Sequence, residues 1–122
     1  MSVPSMKFLF NLAKLVYVAG NMDFPRDIYD RIINACSADE NPENYEVYTD
    51  ALLASVVFLL EDEQTIEAKR VTEKSLQLRE IFCEKNDFRL AECKIMLSRC
   101  MQLEDECDHA ECKLLLQQAL AS

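Results

Sequence analysis

The chain has 122 residues, enough for one domain and too few for two ordinary ones. Half of it is apolar and 29% is charged, so it can bury a core, while a single Gly argues against the tight turns of an all-β fold and excludes Gly-rich phosphate loops. The net charge of −9 is spread over both halves, −5 for residues 1–61 (4 basic, 9 acidic) and −4 for residues 62–122 (9 basic, 13 acidic); it disfavours nucleic acid and anionic membranes and is compatible with a basic peptide or protein face.

Pro4-Ser5 opens a helical pattern that runs to Ala19. Its apolar run, from Met6 onward, faintly resembles a signal peptide, but Asn11 and Lys14 interrupt it and it is shorter than the ~20 apolar residues of a membrane span. An apolar first helix is therefore expected, closed by a turn at Gly20-Asn21. A second helix follows Pro25, with Ile28, Ile32, Ile33 and Cys36 on one face. Ser37 to Asn41 is the clearest break, and Asn41-Pro42 reads as a cap for a third helix over Glu43 to Leu60. That helix is apolar on nearly all sides, so it should be central. Glu61-Asp62-Glu63 separates it from a fourth, whose stripe is Ala68, Val71, Ser75, Leu78 and Phe82. Asn86-Asp87 caps a fifth helix carrying Phe88, Leu90, Ala91, Ile95, Leu97, Cys100, Met101 and Leu103. Asp108 caps a sixth with Ala110, Leu114, Leu115, Leu116, Ala119 and Leu120.

The helices repeat. Leu60-Glu61-Asp62-Glu63 recurs 43 residues on as Leu103-Glu104-Asp105-Glu106, and Ser55 recurs as Ser98. Beyond the acidic turn the offset is 42, matching Ala68 to Ala110 and Leu78 to Leu120. The turn at Gly20 to Asp23 lies 41 residues before Glu61. Three turns at this spacing imply one domain, residues 1–122, of three antiparallel hairpins over residues 5–37, 42–84 and 87–121. Small residues at Ala68 and Ala110 allow close contact where each second helix begins.

The six cysteines (Cys36, Cys83, Cys93, Cys100, Cys107 and Cys112) mostly replace small apolar residues inside helical patterns. They are read as reduced core thiols of an intracellular protein of the cytoplasm or nucleus. Cys100, Cys107, His109 and Cys112 offer the sharpest zinc alternative, but the chain has no Cys-x-x-Cys knuckle, so no metal and no cofactor is expected. Catalysis is not expected either: the single histidine has no nucleophile elbow beside it, no Glu-x-x-His pair occurs, and the carboxylates cluster in turns.

The turn at Gly20-Asn21, the Asn41-Pro42 cap, the small residues Ala68 and Ala110 and the segment Glu67 to Glu80 resemble the tetratricopeptide-repeat superfamily, in its long variant of roughly 42 residues as in kinesin light chains. Units two and three use Glu-Asp-Glu where the family has its turn glycine, and HEAT-like and other α-hairpin stacks have similar periods. The resemblance implies a right-handed superhelix whose first helices line an inner face that binds a peptide or protein. On that face the candidates are Tyr17, Tyr45, Tyr48, Arg89 and Lys94. The apolar first helix adds Phe8, Phe10 and Leu12 as candidates for contact with a partner, a second copy or further chain beyond these 122 residues. The expected function is a non-enzymatic adaptor or complex subunit. The alternative is a compact helical-bundle regulatory protein, virus-encoded or partner-mimicking, acting as an oligomer.

Overall fold

The computed structural model describes residues 2–20, 23–103 and 109–121, and the side chains of all of these except 109–113. Among the described residues there are six α-helices and no strand: α1 (Val3–Val18), α2 (Asp23–Ala38), α3 (Tyr45–Glu61), α4 (Thr65–Phe82), α5 (Phe88–Leu103) and α6 (His109–Ala121). α1, α3 and α5 begin 42 and 43 residues apart.

The helix ends follow from their caps. α1 starts before Pro4 because Ser2 Oγ accepts the Ser5 N–H at 3.3 Å, which leaves Pro4 in the first turn, where its missing N–H costs nothing. Asn41 caps as expected, accepting the Glu43 N–H at 3.1 Å, but what it opens is a single 3-10 turn, Pro42–Asn44; α3 itself begins at Tyr45. Just past the Ala19 cap of α1 stands Gly20, whose φ of +97° suits a residue without Cβ. At the end of α3 the same left-handed position is taken by Glu63, with φ +61°. There the Glu63 N–H donates to Leu60 O at 3.1 Å and the Gln64 N–H to Leu59 O at 2.9 Å, a Schellman closure without glycine. Gly20 and Glu63 stand 43 residues apart and both have a positive φ, although one is Gly and the other is not; residues 21–22 of the first turn, Asn21 among them, lie outside the described residues. The third turn, Glu104 to Asp108, lies outside the described residues.

Each helix packs against its neighbours in the chain, and α1 also reaches α3. The main core joins Met6 and Ala13 of α1, Ile28 and Ile32 of α2, Ala51 and Leu52 of α3, and Leu78 of α4. A second cluster of Val56, Ala68 and Cys100 carries the packing from α3 to α5. A third, Leu97 and Met101 with the half-buried Leu76 and Leu115, extends it to α6. α3 is central, as its all-round apolar pattern predicts, and the fully buried Ala68 is a point of close contact. The side chain of Ala110 is outside the described set. An aromatic chain stitches three helices: Phe10 to Tyr29 at 5.6 Å, Tyr29 to Phe58 at 6.1 Å and Phe58 to Tyr17 at 6.1 Å. Ser75 Oγ donates to Thr49 O at 3.1 Å, tying α4 to α3 with a side chain small enough for close approach.

Several expectations need correction. Val71 and Phe82 of the α4 stripe are only half-buried, while Thr72 and Arg79 are buried, so the covered face of α4 is centred on residues 68, 72, 75 and 79. Phe88, Ile95 and Leu103 of α5 and Leu114 and Leu120 of α6 are exposed. No described helix is long and apolar enough to cross a membrane.

Candidate binding groove

α1, α3 and α5 run side by side over a groove of about 600 Å³. Its walls are Phe10 and Lys14 from α1, Glu46, Asp50, Leu53 and Ala54 from α3, and Phe88, Arg89, Glu92 and Met96 from α5; Tyr29 of α2 and Arg79 of α4 close it from beneath. A smaller cleft of about 200 Å³, lined also by Lys7 and Asn11, shares the α1 and α3 walls.

Arg79 organises the groove floor. Its guanidinium is 2% exposed, yet it serves three helices. Nη2 donates to Asp50 Oδ1 at 2.8 Å; Nη1 donates to Glu92 Oε1 at 2.9 Å, to the Arg89 carbonyl at 3.0 Å and to Cys93 Sγ at 3.3 Å. Nε is buried without a partner. Burial works against this charge, and the bonds to Glu92 and Asp50 outweigh it, so the arginine holds its proton more tightly than usual. Asp50 nevertheless sits above the ordinary carboxyl range. Burial raises it first, Arg79 pulls it back, and Glu46 and Glu92 raise it again. One guanidinium divided between two carboxylates, with a third nearby, leaves the strip short of positive charge. These carboxylates stand on helices, whereas the sequence reading put acidic residues in turns.

At the α5 rim, Asp87 and Arg89 form a closed pair. Arg89 Nε donates to Asp87 Oδ1 at 3.1 Å, Nη2 to Oδ2 at 2.9 Å, and the Arg89 backbone N–H to Oδ1 at 2.9 Å. These bonds pull the Asp87 carboxyl down to about 2 and push Arg89 up. The Arg89 guanidinium also stacks over Phe82 at 5.2 Å. On the α1 wall, Lys14 lies over the Phe10 ring at 5.6 Å, and Lys7 reaches Glu46 at 3.8 Å.

Of the candidates read from sequence, Phe10 and Arg89 meet in this groove. Tyr45 is half-buried against the main core. Tyr48 is buried, its hydroxyl 3.0 Å from Ser37 Oγ, so it supports the fold and offers no ring to a partner. Tyr17 packs edge-on to Phe58 away from the groove, and Lys94 is half-buried outside the lining. Phe8 and the half-buried Leu12 share the outer face of α1 with the exposed Leu15. The residues missed were Asp50, Arg79 and Glu92. Asp50 stands in an apolar run, and Arg79 is four residues beyond the small buried Ser75; a polar residue in either setting is the available signal.

Cys36, Cys93 and Cys100 are buried and Cys83 half-buried, and none of these four forms a disulfide. Burial raises the Cys36, Cys83 and Cys93 thiols and makes them poor nucleophiles. Cys100 turns toward Thr72 of α4, with Sγ 3.9 Å from the hydroxyl. Cys107 and the side chains of His109 and Cys112, the rest of the zinc alternative, lie outside the described residues; among the described ones no cluster of metal-ligating groups occurs. No protein-family model and no curated protein sequence matches the chain, which leaves the geometry and charge of the groove as the ground for a functional reading.

Proposed function

We propose that this chain is a non-enzymatic interaction module, an adaptor or complex subunit, that binds a peptide or protein segment in the groove across α1, α3 and α5. The observation that carries the reading is that all three of these helices send side chains to one groove. They are the first helices of the three hairpins expected from sequence. On this reading residues 1–122 form a single three-hairpin array of tetratricopeptide-like type. The 42- and 43-residue spacing of helix starts and the neighbour-to-neighbour packing support it. An intracellular setting belongs to the proposal and is supported by the buried cysteines that form no disulfide.

Two groove variants test the function. Ala54→Gln fills the half-buried centre, and Phe88→Ser strips the exposed rim. Immobilised wild-type chain should capture a partner from lysate that both variants lose, while their circular dichroism and melting temperature stay at the wild-type values. Capture that survives both substitutions would remove the groove from the function.

A further inference from the structure

We infer that the groove takes a peptide segment in which a lysine or arginine neighbours an apolar side chain, the cation seated between Asp50 and Glu92 and the apolar group against Phe10, Ala54 and Met96. This deepens the interaction reading and rests on it. The argument turns on which charges in the groove are still available. Arg79 is 2% exposed and its terminal nitrogens are already bonded. Arg89 is held by both oxygens of Asp87. By contrast, the side chains of Glu46, Asp50 and Glu92 remain 53%, 31% and 50% exposed. Arg79 occupies one oxygen each of Asp50 and Glu92, so each keeps an oxygen that can accept from a ligand.

The lysines beside this strip both belong to α1: Lys14 lines the groove over Phe10, and Lys7, in the adjoining cleft, is paired with Glu46 at 3.8 Å. The groove is therefore polarised, basic on its α1 wall and acidic along α3 and α5, which fixes where a ligand cation sits. Phe10, Ala54 and Met96 give an apolar surface beside that strip, and the exposed Phe88 stands at its edge. The whole-chain charge of −9 steers basic segments toward this surface and repels acidic ones.

The test is selection of random peptides displayed on phage against the intact chain, with Ala54→Gln as counter-selection. Retained peptides should be enriched in Lys or Arg next to Leu, Met or an aromatic residue. Their synthetic copies should weaken several-fold between about 50 and about 300 mM salt. Glu92→Gln and Glu46→Gln should each weaken them by about three- to tenfold. Glu46 makes no bond to Arg79, so its variant reads the charge without touching the buried network. Groove-dependent peptides that are acidic or uncharged overturn the inference and leave the interaction reading standing. Equal retention on wild type and Ala54→Gln overturns both.

Discussion

Glu63 holds a φ of +61°, a region where a side chain with Cβ is strained by about 1 kcal/mol. Glu63→Gly should therefore raise stability by about 0.5–1 kcal/mol, and Gly20→Ala, at φ +97°, should lower it by about 1 kcal/mol. Urea denaturation of the two variants reads both signs. A second residue-scale expectation concerns Asp87, which the bonds from Arg89 pull from its ordinary value near 3.8 to about 2. Because the folded value is depressed, the stabilisation is fully present above about pH 4 and is lost as pH falls through 2. NMR titration should place the Asp87 carboxyl near 2, and Asp87→Asn should flatten the stability curve in that window. A carboxyl titrating near 3.8 would mean that the pair does not persist in solution.

At the scale of the helix, α4 and α1 make opposite demands. α4 inserts Arg79 between α3 and α5 through bonds to Asp50 and Glu92. Arg79→Met should cost about 2–4 kcal/mol, since it strands Asp50 without its partner; the solvent access of both carboxylates keeps the figure at the lower part of the range for buried pairs. Adding Asp50→Leu should recover at least half of that loss, because an apolar pair needs no charge partner. Equilibrium urea unfolding of the single and double variants decides it. This network was not legible from periodicity. The expected stripe ran through 68, 71, 75, 78 and 82, whereas the buried face is 68, 72, 75 and 79, and only the neighbouring carboxylates give an arginine reason to lie on it. Caps and turns were more legible, because Asn41, Pro4 and Gly20 act through local backbone geometry that needs no neighbour. On α1 the outer stripe is exposed: Phe8 at 67% and Leu15 at 70%. Phe8→Glu with Leu15→Glu should leave stability within about 0.5 kcal/mol of wild type and should reduce apolar-dye binding. A collapse of the melting temperature would mean these side chains are covered.

For the molecule as a whole, the sequence period matches the spacing at which α1, α3 and α5 begin, but it cannot weigh one end of the chain against the other. The packing does. The main core draws on α1 to α4, with α3 in its middle, whereas α5 and α6 are joined to it by two small clusters. α6 packs extensively only on α5, and of its described side chains Ala119 alone is buried while Leu114 and Leu120 are exposed. When each helix touches little beyond its chain neighbours, stability is a sum of local terms, and the end with the thinnest interface opens first. Native-state hydrogen exchange should therefore grade along the chain. Amides in the middle of α3, around Ala51 to Val56, should exchange only on global unfolding, and those of α6 should exchange through a local opening that low urea barely changes. In a closed bundle, the alternative architecture, α6 would pack back on α1 and open together with the core. Equal protection in α6 and α3 would point to that bundle and would sink the array on which the groove reading depends.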